Sequence, residues 1–191
     1  MALPHSPSRL LRAAALSLLA AATTALVLPT PSHAAPATAP CADTGIAAPQ
    51  ASAAVVGRAI RCLVNGQRTA NGLAPLRASR PLREAAEAHG ADMVAHRFFA
   101  HVSPFTGAIT SRARRVGYIT SDDYALGEDI AWGEGELSTP DAIVAAWMNS
   151  PPHRAVILDA DFRDMGVGVV SGVPVDTQLA GATFVLDVGA K

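Results

Sequence analysis

Two histidines and one glutamate carry most of the chemistry this chain can offer. His101 sits in Phe99-Ala100-His101-Val102-Ser103-Pro104, Glu128 in Gly127-Glu128-Asp129-Ile130-Ala131, and His153 in Trp147-Met148-Asn149-Ser150-Pro151-Pro152-His153-Arg154. Neutral imidazole nitrogens bind divalent metals, which makes His101 and His153 candidate ligands for Zn²⁺ or Mg²⁺. Two His plus waters give an open but weak Zn²⁺ site, because catalytic zinc usually has three protein ligands. Glu128 can complete such a site as a third ligand, orient an imidazole as a hydrogen-bond acceptor, or act as a general base on bound water. Taken singly, each residue fits a plainer role as well: isolated His residues are mostly surface or hydrogen-bonded core groups, and Glu128 can cap a turn by accepting backbone N–H bonds.

Other residues offer less. His89 and His96 lie seven apart on one predicted helix and are expected to face solvent or the sheet edge; no HExxH pair is present. Ser103 stands near His101, but there is no GxSxG elbow, and Pro104 marks an ordinary turn. Asn65 and Arg68 are expected to tie a helix to a loop, Trp147 to sit in the core, and Arg154 to pair with Asp159 or Asp161. Arg112, Arg114 and Arg115 read as a solvated helix face.

The elements that must position these side chains follow from periodicity and punctuation. From Ala51, apolar residues at Val55, Ala59 and Leu63 fall on one helical face, with a stop near Asn71-Gly72. Ser79 is a predicted N-cap with Pro81 in the first turn of a second helix that ends near His96. Its small apolar residues suit close packing on a sheet. Residues 98–107 predict a loop carrying His101, and Thr110 to Val116 a short helix ending at Gly117. Residues 121–126 read as a polar connection. Thr139-Pro140-Asp141 opens a helix to about Asn149 that buries Ile143, Ala146 and Trp147. Pro151-Pro152 stops it, and a short turn follows through His153 to Leu158. The strand candidates are Met165 to Val170 and Ala182 to Val188, with Gly127 to Ala131 and Trp132 as an additional short strand. Helices first and strands late predict an α+β fold.

The chain has 191 residues. Residues 1–34 read as a signal peptide: Arg9 and Arg12, an apolar run from Ala13 to Leu28, then Ser32-His33-Ala34 as a small-x-small cleavage pattern. The run is shorter than the roughly 20 apolar residues of a membrane span, although an uncleaved anchor is the alternative. The chain from Ala35 onward has a formal charge of −3, too mild and too scattered for nucleic-acid binding. Residues 35–53 form an Ala/Pro-rich arm. An even pair of cysteines outside the cytoplasm predicts a Cys41–Cys62 disulfide that tethers this arm, worth on the order of 3 kcal/mol. Two buried thiols or a Zn site are the other readings.

The words from Leu63-Val64-Asn65 through Asn71-Gly72-Leu73, Ala88-His89, Phe99-Ala100-His101, Gly127-Glu128-Asp129-Ile130-Ala131, Trp147-Met148-Asn149-Ser150-Pro151 with His153-Arg154, and Gly166-Val167-Gly168-Val169 resemble, in this order, the small secreted bacterial branch of the CAP superfamily (SCP domain). The resemblance covers about Val55 to Gly189 and assigns residues 54–191 to one such domain. It implies a three-layer α-β-α sandwich with a small, mostly antiparallel sheet and a groove lined by two His and two Glu. His101, Glu128 and His153 match three of those four; Ser150 occupies the position of the second Glu. The final strand departs too, with Phe184-Val185-Leu186-Asp187-Val188 where an aromatic and a Thr-Gln pair are frequent. The expectation is a secreted, extracellular binding module for a small apolar, lipid or cell-envelope ligand, without membrane insertion. The rivals are a metal-assisted peptide or ester hydrolase using His101, His153 and Glu128, and a structural interaction module.

Overall fold

A computed structural model describes residues 40–191; the predicted leader over residues 1–34 and the start of the arm lie outside the described residues. Helix α1 (Ala53–Ala70) begins at Ser52, whose hydroxyl accepts the Val55 N–H, and ends at Asn71 before Gly72 at φ +75°. Its buried stripe is Val56, Ala59, Ile60, Val64 and Arg68, one residue away from the predicted Val55, Ala59, Leu63 face. The helix must cover both the sheet and a second helix, so the branched residues take the centre and Val55 and Leu63 fall at the margins. Arg68 is buried because its guanidinium donates to the carbonyls of Ala74, Ile157 and Asp159 at 2.7–2.9 Å. Asn65 exchanges two hydrogen bonds with the Leu76 backbone. The expected ties from helix to loop are therefore in place.

Strand β1 (Arg77–Ala78) leads into α2 (Arg80–His96), capped by Ser79 with Pro81 in its first turn, as the sequence predicts. After the His101 loop come α3 (Ile109–Arg115), β2 (Ala125–Glu134), α4 (Pro140–Asn149), α5 (Pro151–Ile157), β3 (Asp164–Ser171) and β4 (Gly181–Ala190). The Gly127–Ala131 segment is thus the middle of a ten-residue strand, which takes two residues from the predicted polar connection. Helix α4 buries Val144 beside Ile143 and Trp147, whereas Ala146 is exposed. Pro151 and Pro152 do more than stop α4: proline suits the first turn of a helix, and α5 starts on them in place of the expected turn. Arg154 on α5 forms no ion pair with Asp159 or Asp161 among the described residues; the Asp159 carbonyl goes to Arg68 instead.

The sheet order is β1-β3-β4-β2, parallel between β1 and β3 and antiparallel elsewhere. α2 and α3 cover one face; α1, α4 and α5 cover the other. This is the three-layer α-β-α sandwich expected. The larger core lies under α1 and α4, where Val56, Ile60, Val64 and Trp147 meet Val167, Val169, Phe184 and Leu186. Trp147 also donates its indole N–H to the Ile130 carbonyl, fixing α4 against β2.

On the other face α2 rides directly on β3. A Cβ at Gly166 would overlap the backbone of Leu82 and Arg83, and one at Gly168 would lie 2.5 Å from the Ala86 carbonyl carbon. Cys41 and Cys62 are disulfide-bonded with Cα atoms 5.8 Å apart. The bridge is reinforced, because Ala47 and Ala48 are buried and the Thr44 carbonyl accepts the Asp141 N–H at 3.0 Å. No helix among the described residues is long and apolar enough to cross a membrane.

Candidate functional site

Strand alternation sends Glu128 toward α2 and Asp129 toward the opposite face. The Glu128 side chain is 4% exposed, and its Oε1 accepts from His101 Nδ1 at 3.0 Å. Its Oε2 is paired with the Arg112 guanidinium. Arg112 also donates to the Gly107 carbonyl at 2.6 Å and the His101 carbonyl at 3.3 Å, so one buried cation fixes both the acid and the loop. The expectation of a solvated face holds for Arg114 and Arg115 but fails for Arg112, which is buried because α3 turns that side toward β2.

His89 is also corrected. It is fully buried, with Nε2 3.0 Å from the Ala100 carbonyl and 3.9 Å from Glu128 Oε1. Burial lowers its pKa against the pull of Glu128, with the Arg112 charge adding to the lowering, so the ring is neutral and donates from Nε2. His96, its partner seven residues on, is half-exposed and pairs with Asp92 at 2.9 Å.

Asp187 lies directly opposite Glu128 in the β2–β4 register and is fully buried. Burial and then the Glu128 charge push its carboxyl well above the usual range. Neither of its oxygens meets a hydrogen-bond donor, which suits a neutral acid beside the Glu128 carboxylate. Burial alone would raise Glu128 too, but the His101 hydrogen bond and the charge of Arg112 outweigh it and hold Glu128 ionised. His101 is raised chiefly by its bond to Glu128.

His101 is carried on a loop built by Ser103. The Ser103 hydroxyl bonds the buried Asp92 carboxylate and accepts the N–H groups of Phe105 and Thr106 at 2.9 and 3.0 Å. Thr106 Oγ1 donates to the same Asp92 oxygen at 2.9 Å, and Ser103 and Gly107 exchange backbone hydrogen bonds. Ser103 is thus a fastening group and not a nucleophile beside a base. Around His101 this loop leaves Phe99, Val102 and Phe105 at 45%, 60% and 60% exposure, with Phe105 stacked on His96.

His153 stands in the first turn of α5, its Nδ1 2.7 Å from Ser150 Oγ. Burial and then the His101 charge lower its pKa. The structure joins His101 to Glu128 directly, whereas His153 bonds Ser150 and shares no hydrogen bond with either of them. Each ring commits Nδ1 to an oxygen, the arrangement that leaves Nε2 for a ligand. Both Glu128 oxygens are taken by His101 and Arg112, and among the described residues no three His, Cys, Asp or Glu side chains gather to hold a metal. Glu128 is thus an orienting acceptor for the His101 ring.

The family model of the CAP proteins, the cysteine-rich secretory protein family, matches residues 62–184, well over half of the chain and all three of these side chains.

The chain belongs to the CAP family.

Relatives of this CAP chain include the uncharacterized protein YkwD of Bacillus subtilis, 36% identical over 146 residues, covering 75% of this chain and 53% of that protein. The uncharacterized membrane protein YlbC of the same organism is 36% identical over 107 residues, covering 56% and 29%. The chain thus spans about half, or less, of the length of these relatives. Among solved structures, an extracellular protein containing an SCP domain from Bacillus anthracis matches with TM-score 0.51 and 28% identity over 65% of this chain and 38% of that one. An outer surface protein of Borrelia burgdorferi matches with TM-score 0.56 and 18% identity over 69% and 90%, a likeness of fold.

Residue types alone did not disclose His89, Arg112 or Asp187. Signals were present for two of them: His89 continues the buried Leu82, Ala85, Ala86 stripe of α2, and Asp187 is a lone acid in an apolar strand.

Proposed function

We propose that this CAP domain acts outside the cell by binding, holding a small apolar, lipid or envelope-derived molecule beside His101. The observation that carries this is the loop itself. Phe99, Val102 and Phe105 stay exposed on a segment that Asp92, Ser103 and Arg112 hold fast, an apolar rim around one polar, hydrogen-bonding imidazole. Such a rim with a few convergent polar groups is what small-ligand sites use. Against turnover speaks the state of Glu128: its oxygens are committed to His101 and Arg112, which suits a fixed counter-charge better than a base that must approach a bound water. A divalent ion at the Nε2 atoms of His101 and His153 fits as an accessory of this site, Zn²⁺ in preference to Mg²⁺ because imidazole suits zinc.

The test is native mass spectrometry and lipid extraction of the secreted protein purified without chelator, beside the Phe99→Ser/Phe105→Ser variant. A co-purifying apolar molecule lost in the variant supports binding. Metal-dependent ester or peptide hydrolysis abolished by Glu128→Gln would replace this reading with a hydrolase.

A further inference from the structure

A second feature lies away from His101, where α1 and α2 flank the far edge of the sheet. Strand β1 pairs with β3 over two residues only, Arg77 with Asp164 and Ala78 with Met165, and the chain then turns into α2 at Ser79. The lane beside the rest of β3 has no strand among the described residues. Even-numbered residues of β3 direct their peptide groups to β4, a pattern continued by the Gly172 N–H to Gly181 carbonyl bond. The N–H and C=O groups of Val167 and Val169 therefore face the unpaired lane.

Beside Met165, Gly166 and Val167 that lane opens into a groove of about 620 Å³. Its α1 wall is Ala54, Gly57, Arg58 and Arg61, spaced as one helical stripe. Its α2 wall carries Arg80, Arg83 and, at the far end, Glu87, whose charge is met by Arg83. Arg80 and Arg83 pair with Glu84 and Glu87 along their own helix, whereas Arg58 and Arg61 have no acidic partner among the described residues. Small residues keep the α1 wall low and arginines edge both sides, in a chain whose formal charge is −1.

We propose that this groove receives an extended acidic peptide of a partner protein, which adds as a strand beside β3. Main-chain hydrogen bonds to Val167, the edge residue of β3 that lines the groove, anchor the pairing, as in other cases of strand addition. Successive side chains of an added strand point to opposite faces, so two adjacent carboxylates reach the α1 and the α2 arginines respectively. Arginine suits this task because its planar fork bonds carboxylates in pairs. A second copy of this chain is disfavoured as occupant, since edge-to-edge pairing would bring the two sets of arginines together.

The experiment is fluorescence anisotropy of the full chain with a labelled peptide of repeated Glu-Glu-Val, read together with amide hydrogen exchange. Expected are saturable binding, slower exchange at Val167, and affinity reduced on the order of tenfold or more by Arg58→Ala with Arg61→Ala. The same peptide N-methylated at alternate amides is expected to bind at least as poorly as that variant. Alanine is a strong helix former and both arginines lie outside the buried face, so circular dichroism of the variant should match the parent. The proposal is overturned if the peptide does not bind, if the methylated peptide binds as well as the parent, or if Val167 gains no protection. Linear polyphosphate binding more tightly than the peptide would overturn it too, by assigning the groove to phosphate polymers.

Discussion

Glu128 and Asp187 face each other across the antiparallel pair of β2 and β4, one ionised and the other protonated. Two buried carboxyls so placed cannot both carry charge. Glu128 takes it because Arg112 and His101 lie on its side. Removing the cation should therefore strand a buried anion. Arg112→Met is expected to cost about 3–5 kcal/mol, against a much smaller loss when Glu128→Gln is added to it. Urea midpoints of the two variants check this; equal losses would mean that the pair is not the unit.

Asp129 gives a pH dependence. It is 1% exposed, neither oxygen has a hydrogen-bond partner, and burial raises its carboxyl to about 8, with the Glu128 charge adding to the rise. The unfolded value is near 4. Between these values the folded state keeps a proton that the unfolded state releases, so stability falls as pH rises through that window. Asp187 acts in the same direction. Asp129→Asn should flatten the profile and add stability near pH 7, on the order of a few kcal/mol. Thermal denaturation from pH 4 to 9 is the measurement, and parallel curves for parent and variant would contradict the assignment.

The loop that bears His101 should loosen without its fastening. Ser103→Ala removes the acceptor of two backbone N–H groups and a donor to Asp92, an expected cost of about 1–3 kcal/mol. Amide exchange over residues 98–107 should speed up while that of β4 stays slow. Uniform acceleration across both would show a global effect instead.

Ser150 sets the His153 ring. If Zn²⁺ binds at Nε2, Ser150→Ala should weaken its affinity about tenfold or more, and His101→Ala or His153→Ala should weaken it further. Calorimetric titration with Zn²⁺ decides this. Chelator should then lower the melting temperature of the loaded protein and leave the His153→Ala variant unmoved.

Local chemistry made the frame legible. Ser79 and Thr139 cap the helices predicted from them, and the late apolar runs are the two central strands, because these signals act within a few residues. Where an element must satisfy two neighbours at once, periodicity located it but not its rotation, as for α1. The polar interior was harder. Arg112 is a basic residue in a short basic helix, and only its distance from solvent in the folded chain, with Glu128 sixteen residues away, makes burial possible. His101 and Glu128 were legible as candidates through the family resemblance, and Asp187 only as a departure from it.

Helix α2 carries His89 and rests on β3 where Gly166 and Gly168 present hydrogen atoms instead of methyls. Gly166, Asp187 and Glu128 stand in one row across three strands, so the thickness of that seam is a calliper for the gap between ring and acid. An alanine at Gly166 would lift the helix and part His89 from Glu128 with neither residue altered. The polar cluster is thus gauged by the absence of a single carbon on a strand that takes no part in its chemistry.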